Sequence, residues 1–268
     1  MKISFYINET KEKAFKLYDE IIEFLKDYPC EVVSLYKDAD IVIALGGDGT
    51  ILRYARDHNH ICKPVFGINC GTLGYLTEGT TENWKEKLKK IFSGVYTIKK
   101  RKTLIAYVYQ QNSLSYTNIA VNDVYLTKNN GNILRFNLYV NDKFLNSYAA
   151  DGMIVSSALG SSGYALSAGG SFIDPDSDLL ELVAIAPHTL LNRSIILAGD
   201  SKVRIEVIGN NEGKVTYDGY DFNKPLVNGD YVEIENSAFD MEIVVVEEGN
   251  FIENISNSFA RVENRKEI

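Results

Sequence analysis

Hydrophobic and polar positions along this chain follow two different rhythms. In the first third, short apolar runs alternate with stretches of helical period. Ile3–Ile7 reads as a strand. Across Lys11–Asp27, apolar residues fall at Ala14, Phe15, Leu17, Tyr18, Ile21, Ile22 and Leu25, the spacing of an amphipathic helix. Glu31–Tyr36 predicts a second strand and Ile41–Leu45 a third, the latter apolar on both faces as in a buried parallel sheet. A helix is expected over Ile51–Asp57 with Thr50 as its N-cap, then a strand through Pro64–Asn69 and a helix over Asn83–Phe92. Such alternation implies a largely parallel sheet flanked by helices.

Beyond about residue 100 the helical period disappears. Leu104–Gln110, Ile119–Leu126, Ile133–Val140, Lys143–Tyr148, Val203–Ile208, Lys214–Tyr217, Tyr231–Glu235 and Glu242–Val246 are short β-rich segments separated by Asn, Asp and Gly turns. This half reads as β-sandwich-like. Asn257–Glu267 looks helical and is free in principle to pack on either half. The expected fold is therefore a Rossmann-like α/β domain over residues 1–98, with residues 250–268 returning to it, and a β-sandwich-like domain over 99–249.

Composition narrows the classes. At 268 residues, 45% hydrophobic and 24% charged, the chain is ordinary globular material. A net charge of −8 argues against a general nucleic-acid or membrane-surface binder. No apolar run is long enough to span a bilayer, and the opening Met1–Ile7 is too short for a signal peptide, so the expected location is the cytoplasm. Cys30, Cys62 and Cys70 are odd in number, lack C-x-x-C spacing and suit a reducing compartment. His58-x-His60 lacks a third ligand nearby and reads as a loop pair. Lys99–Lys102 is the one basic run, and it reads as a solvated strand edge.

Chemistry concentrates in two places. Gly46-Gly47-Asp48-Gly49-Thr50 closes the third strand at its carboxyl end, where ligands of open α/β sheets bind. Glycine lets backbone approach a ligand and leaves amides free for anionic oxygens. Asp48 repels phosphate but can handle a hydroxyl proton or a hydrated metal, so the combination suggests phosphoryl transfer. A surface turn with Asp48 capping the next helix explains the same residues. The second cluster is Asp151–Gly170, with five serines and five glycines in twenty residues. It predicts a strand, a turn and a helix capped by Ser161 or Ser162, whose amides would face an anion. Close packing of a helix on a sheet is the structural alternative. Asn122-Asp123 is either a turn or a pair that grips vicinal hydroxyls.

Taken in order, these motifs resemble the NAD kinase family. The resemblance also runs through Gly67-Ile68-Asn69-Cys70-Gly71-Thr72-Leu73-Gly74-Tyr75-Leu76, Pro187–Arg193 and Asp218-Gly219. It implies transfer of the terminal phosphate of ATP or another donor to the 2′-hydroxyl of the adenosine ribose of NAD, with Mg2+ accompanying the donor. It further implies a homodimer or homotetramer whose NAD site a neighbouring subunit completes. By resemblance Asp48 is the catalytic carboxylate, and Gly46, Gly47 and Gly49 offer amides to phosphate, with Arg53 as a nearby cation. Tyr75 lies beside adenine, and Asn122 and Asp123 hold ribose. Asp151, Ser162, Gly163, Tyr164 and Ser167 line the nicotinamide end. Asp123 stands where Glu is commoner, Ala158 where Pro is common and Tyr220 where Gln is frequent.

Other classes fit parts of the pattern. A lipid kinase shares the Gly-Gly-Asp-Gly turn, but the small, polar Asp151–Gly170 segment offers no acyl channel. A non-catalytic dinucleotide-binding regulator would not need Asp48. An NAD-dependent oxidoreductase should show G-x-G-x-x-G after the first strand, and none is there.

Overall fold

The computed structural model describes residues 1–58, 63–71, 74–189, 192–247, 249, 251–252 and 255–256. The expected helix at Asn257–Glu267 lies outside them, as do His60 and Cys62. The chain divides into two compact units: Met1–Lys100 with the described residues from Met241 onward, and Arg101–Asp240.

The first unit is built on parallel strands. They are β1 (Lys2–Ile7), β2 (Glu31–Val32), β3 (Ile41–Gly46), β4 (Val65–Asn69) and the short β5 (Gly79–Thr80). β3 pairs with β1 on one side and β4 on the other, and the far end of the last strand joins β4 through Ile243 and Val65. Helices α1 (Glu12–Leu25), α2 (Asp48–Asp57) and α3 (Trp84–Phe92) cover it. Ala14, Leu17, Ile21 and Leu25 form the predicted apolar stripe of α1. They share a core with Ile3, Ile41, Ile43, Trp84, Leu88 and Ile91. Each fully buried Leu or Ile contributes about 1.5–3 kcal/mol. The whole of β3 is buried, as its apolar run requires.

Two expectations are corrected here. β2 ends at Val32, and Tyr36–Asp38 forms a 3-10 turn in place of strand. β2 pairs only with β1 among the described residues, so nothing beyond it holds residues 34–36 extended. α2 starts at Asp48, three residues before the expected position. Gly47 is its N-cap, and Thr50 supports the turn from inside the helix by accepting the Gly47 N–H on Oγ1 at 3.2 Å.

The second unit contains two antiparallel sheets. Its strands are β6 (Thr97–Gln110) from Arg101 onward, β7 (Ser113–Ala120), β8 (Asp123–Lys128), β9 (Leu134–Val140), β10 (Lys143–Ala150), β11 (Gly152–Ser157), β12 (Leu179–Ile185), β13 (Ile195–Ala198), β14 (Val203–Ile208), β15 (Gly213–Tyr217), β16 (Tyr220–Asp221) and β17 (Tyr231–Val245) as far as Asp240. One sheet runs β13-β12-β11-β8-β15-β16, and the other contains β10-β9-β14-β17 with β6 and β7. Along β14, Val203, Ile205 and Val207 are buried while the residues between them are not, the period-two pattern of a strand with one core face. Leu126, Met153, Val155 and Leu182 of one sheet share a core with Phe136, Leu138, Ile205 and Val232 of the other. This is the sandwich that the β-rich half predicts. β6 begins at Thr97, so the basic run lies inside a strand. Its charges have partners: Lys100 with Glu242 at 3.6 Å, Lys102 with Asp240 at 3.0 Å, and buried Arg101 with Asp176. Arg101 is therefore no part of a solvated edge.

Candidate active site

In the first unit, parallel pairing aligns the carboxyl ends of the strands. Ile7 sits opposite Leu45, and Gly46 opposite Asn69. The Asn8 N–H donates to the Leu45 carbonyl at 2.9 Å and the Cys70 N–H to the Gly46 carbonyl at 2.7 Å. Chemistry-bearing residues from three strands thus reach one edge of the sheet. Gly46 has a steric reason to be glycine, since a Cβ there would lie 2.0 Å from Thr50 Oγ1 and 3.1 Å from Asn8 Cβ. Gly49 has none: it is exposed, and a Cβ would meet nothing within 4 Å.

Asp48 is the first residue of α2 and does not cap it. Its carboxylate accepts the Tyr75 N–H on Oδ2 at 2.6 Å and the Leu76 N–H on Oδ1 at 3.0 Å. The capping alternative is thereby excluded. Two rigid donors fix the side chain, and each oxygen keeps a further lone pair for a hydroxyl or a metal-bound water. A Cβ on Gly74 would fall 2.0 Å from Asp48 Oδ1, so glycine is required for this docking. The Tyr75 ring is partly exposed. Arg53 lies on α2, and its charge acts on the Tyr6 hydroxyl, which burial and Asp57 push up to about 12. Asn8 and Asn69 were missed by sequence reasoning. Asn8 Nδ2 donates to Thr50 Oγ1 at 3.4 Å, and Asn69 Oδ1 accepts the Gly71 N–H at 2.7 Å. Asn8 follows directly on β1 and Asn69 ends β4, and that position at the end of an apolar strand was the available signal. Thr72 and Leu73 lie outside the described residues.

The second unit organises Asn122 and Asp123 around another residue missed as a site member. Asp218 and Gly219 have positive φ, +44° and +82°, and form the two-residue hairpin that Asp-Gly favours. The Asp218 carboxylate accepts the backbone amides of Val121, Asn122 and Asp123 at 2.7, 2.8 and 3.2 Å. The Asp123 side chain is buried, and its pKa is pushed up to about 7, first by loss of solvent and then by the Asp218 charge. Tyr125 and Tyr164 meet edge to face at 5.0 Å, and burial first, then the Asp123 charge, raises the Tyr125 hydroxyl. The pair is thus no simple turn.

The serine cluster separates into two groups. Ser157 Oγ donates to the Val121 carbonyl at 2.7 Å and accepts the Gly160 N–H at 3.0 Å. Ser156 Oγ donates to the Asn122 carbonyl at 3.3 Å, and Ser161 Oγ donates to the Ala158 carbonyl at 2.8 Å. Ser156 and Ser157 thus tie the loop to the backbone at residues 121 and 122, while Ser161 bonds within it, to Ala158 and Ile173. A Cβ on Gly160 would lie 2.0 Å from the Asn122 carbonyl oxygen, so the close-packing role applies here. Gly163, Tyr164 and Ser167 point a different way, with Tyr164 and Ser167 exposed and a Gly163 Cβ 3.9 Å from Asp123 Oδ2. The expected serine cap is absent: Gly163 caps a helix of four residues, Tyr164–Ser167, too short to present a substantial dipole to an anion. Ser162 is half-buried in the 3-10 turn Leu159–Ser162. Asp151 pairs with Lys128 at 2.7 Å, a cation that sequence reasoning did not connect to it.

Among the described residues, no group of three or more His, Cys, Asp or Glu side chains is placed to hold a metal ion, and no helix is long and apolar enough to cross a membrane. The chain matches the ATP-NAD kinase N-terminal domain over residues 32–96 and the ATP-NAD kinase C-terminal domain over residues 121–246. It is 37% identical over 257 residues to the NAD kinase of Fusobacterium nucleatum subsp. nucleatum, covering 94% of each chain. It is 36% identical over 235 residues to the NAD kinase of Lachnospira eligens, covering 82% of this chain and 80% of that one. Yeast NADH kinase, solved in complex with NADH, has a similar fold, with TM-score 0.84 and 23% identity over 96% of this chain and 86% of that chain. An NAD kinase from Archaeoglobus fulgidus, solved in complex with ATP, aligns with TM-score 0.78 and 25% identity over 96% of this chain and 98% of that chain. The chain belongs to the ATP-NAD kinase family.

Proposed function

We propose that this protein transfers the terminal phosphoryl group of ATP, or of another phosphate donor, to the 2′-hydroxyl of the adenosine ribose of NAD, giving NADP. The observation that carries the reading is the Asp48 carboxylate, held by the Tyr75 and Leu76 amides beside a glycine turn at the strand ends. In the proposed reaction the ribose oxygen forms a bond to the terminal phosphorus as the bond to the leaving nucleotide breaks. The hydroxyl proton passes to Asp48. An aspartate is a weak base at neutral pH, but phosphoryl transfer runs through a loose transition state in which positioning contributes most.

The first unit supplies the transfer groups: Gly46, Gly47 and Gly49 face donor phosphate, Arg53 adds positive charge, and Tyr75 stands beside adenine. The second unit supplies dinucleotide contacts through Asn122, Asp123, Asp151, Ser162, Gly163, Tyr164 and Ser167. Mg2+ suits Asp48, because this ion is commonly held by one or two carboxylates and substrate phosphates, and it neutralises developing phosphate charge. The domain division after residue 98, the return of residues 250–268, assembly as a homodimer or homotetramer and a cytoplasmic location complete the proposal.

Purified protein given NAD or NADH with ATP, other triphosphates or polyphosphate, and Mg2+, tests this directly. NADP or NADPH should form. Phosphorylation of diacylglycerol or a sphingoid base with none of the dinucleotide would overturn it in favour of a lipid kinase. Dinucleotide binding with no transfer from any donor would favour a regulator.

A further inference from the structure

Lys11 breaks a local rule. It occupies the N-cap of α1, where Ser, Thr, Asp or Asn is preferred, and its side chain makes no capping bond. A cation at the positive end of a helix is electrostatically unfavourable. Its ammonium group also lies beside a second helix start. A Cβ built on Gly47, the N-cap of α2, would be 3.6 Å from Lys11 Nζ, and one built on Gly71 would be 3.1 Å away. Among the described residues Lys11 forms no ion pair or side-chain hydrogen bond, although it is half-buried. Its charge reaches the buried Cys70 thiol, lowering a pKa that burial raises. Two helix amino ends and an unpartnered ammonium therefore converge on the glycine turn. The nearest carboxylate on α2, that of Asp48, is turned to the Tyr75 and Leu76 amides.

Proteins keep such a local conflict at functional sites, where a bound anion would offset the charge. We propose that Lys11 binds the phosphate chain of the donor, its ammonium placed by Gly47 and Gly71. This deepens the kinase reading and rests on it. Lys11 reads phosphate charge and not the nucleoside, so a polyphosphate chain alone should engage it.

The test uses the full chain, with Lys11→Met and Lys11→Arg. Losing one charged hydrogen bond predicts a rise in KM for ATP of about ten- to a hundred-fold in Lys11→Met. KM for NAD should stay within about twofold, since the acceptor is not touched. Lys11→Arg should recover most of the ATP affinity. Calorimetric binding of inorganic tripolyphosphate should weaken in Lys11→Met by a similar factor, a readout that stands even if no NADP forms. The melting temperature of Lys11→Met should hold or rise, because a repulsive charge is removed. Unchanged ATP KM and tripolyphosphate affinity in Lys11→Met would overturn the proposal. So would an equal loss of NAD affinity or a fall in melting temperature, since either assigns Lys11 to the fold. If the wild type forms no NADP, the kinase reading fails, and tripolyphosphate binding still decides the role of Lys11.

Discussion

The backbone amide of Tyr75 donates to the carboxylate of Asp48 at 2.6 Å, across 27 residues of sequence. Leu76 donates to the other oxygen, and Gly74 is bare because a Cβ would lie 2.0 Å from that oxygen. Gly74→Ala must therefore push the carboxylate off its amides. A displacement of about 1 Å can cost on the order of a hundred-fold in rate. We predict at least that loss in kcat for Gly74→Ala, measured by steady-state NADP formation. A normal kcat would show that the docking does not set the geometry of transfer.

Gly49 gives the opposite kind of test. It lies in the first turn of α2 with no steric or conformational demand of its own. Replacing helical glycine by alanine stabilises by roughly 0.5–1 kcal/mol. Gly49→Ala should thus melt at the same or a higher temperature than wild type while binding donor less well, because the proposed site sets its bare backbone against donor phosphate. Gly46→Ala should instead destabilise, since its Cβ would meet Thr50 and Asn8. A Gly49→Ala variant with unchanged KM for ATP would remove Gly49 from the site.

Asp123 carries a pH signature. Its carboxyl is raised from the usual value of 3.8 to about 7 by burial and by Asp218. A raised acid favours the protonated native state, so its contribution to stability is full below the unfolded pKa and is lost as pH rises toward 7. Asp123→Asn removes this dependence. The variant should be more stable than wild type at pH 8, by on the order of a few kcal/mol, with the difference shrinking toward pH 5. Denaturant melts at the two pH values measure it. A difference that does not change with pH would show that Asp123 titrates normally.

Much of this was legible in sequence, and the parts that were not share a cause. The stripe Ala14, Leu17, Ile21 and Leu25 and the apolar run Ile41–Leu45 specify their elements because burial on one or both faces leaves a periodic record. The start of α2 was misplaced because Thr50 has the chemistry of a cap but acts three residues inside, accepting the Gly47 N–H. Asp48 and its glycines were visible as a motif. That Tyr75 and Leu76 hold Asp48 was not, since the partners are backbone amides, which carry no residue-type signal. Asp218 went unassigned for the same reason: its three acceptor contacts are to backbone at residues 121–123. The serine cluster gave the right region, but sequence could not separate Ser156, Ser157 and Ser161, which face the scaffold, from Tyr164 and Ser167, which face solvent.

Arg101 is buried and paired with Asp176, which is more exposed. Removing the carboxylate strands a cation whose pKa burial already lowers. Asp176→Ala should destabilise the protein by about 1–3 kcal/mol, read by chemical denaturation, with KM values for NAD and ATP unchanged. No loss of stability would show that Arg101 is satisfied by the Pro175 carbonyl and the remaining surroundings.

The role proposed for Asp48 is to act on the reacting hydroxyl and not merely to shape the turn. Asp48→Asn keeps the size and one acceptor of the side chain while removing its ability to take a proton. Measured side by side, NAD binding by calorimetry should persist, and kcat for NADP formation should fall by about 10²–10⁴-fold. Near-normal turnover in Asp48→Asn, with NAD and donor bound, would contradict the account.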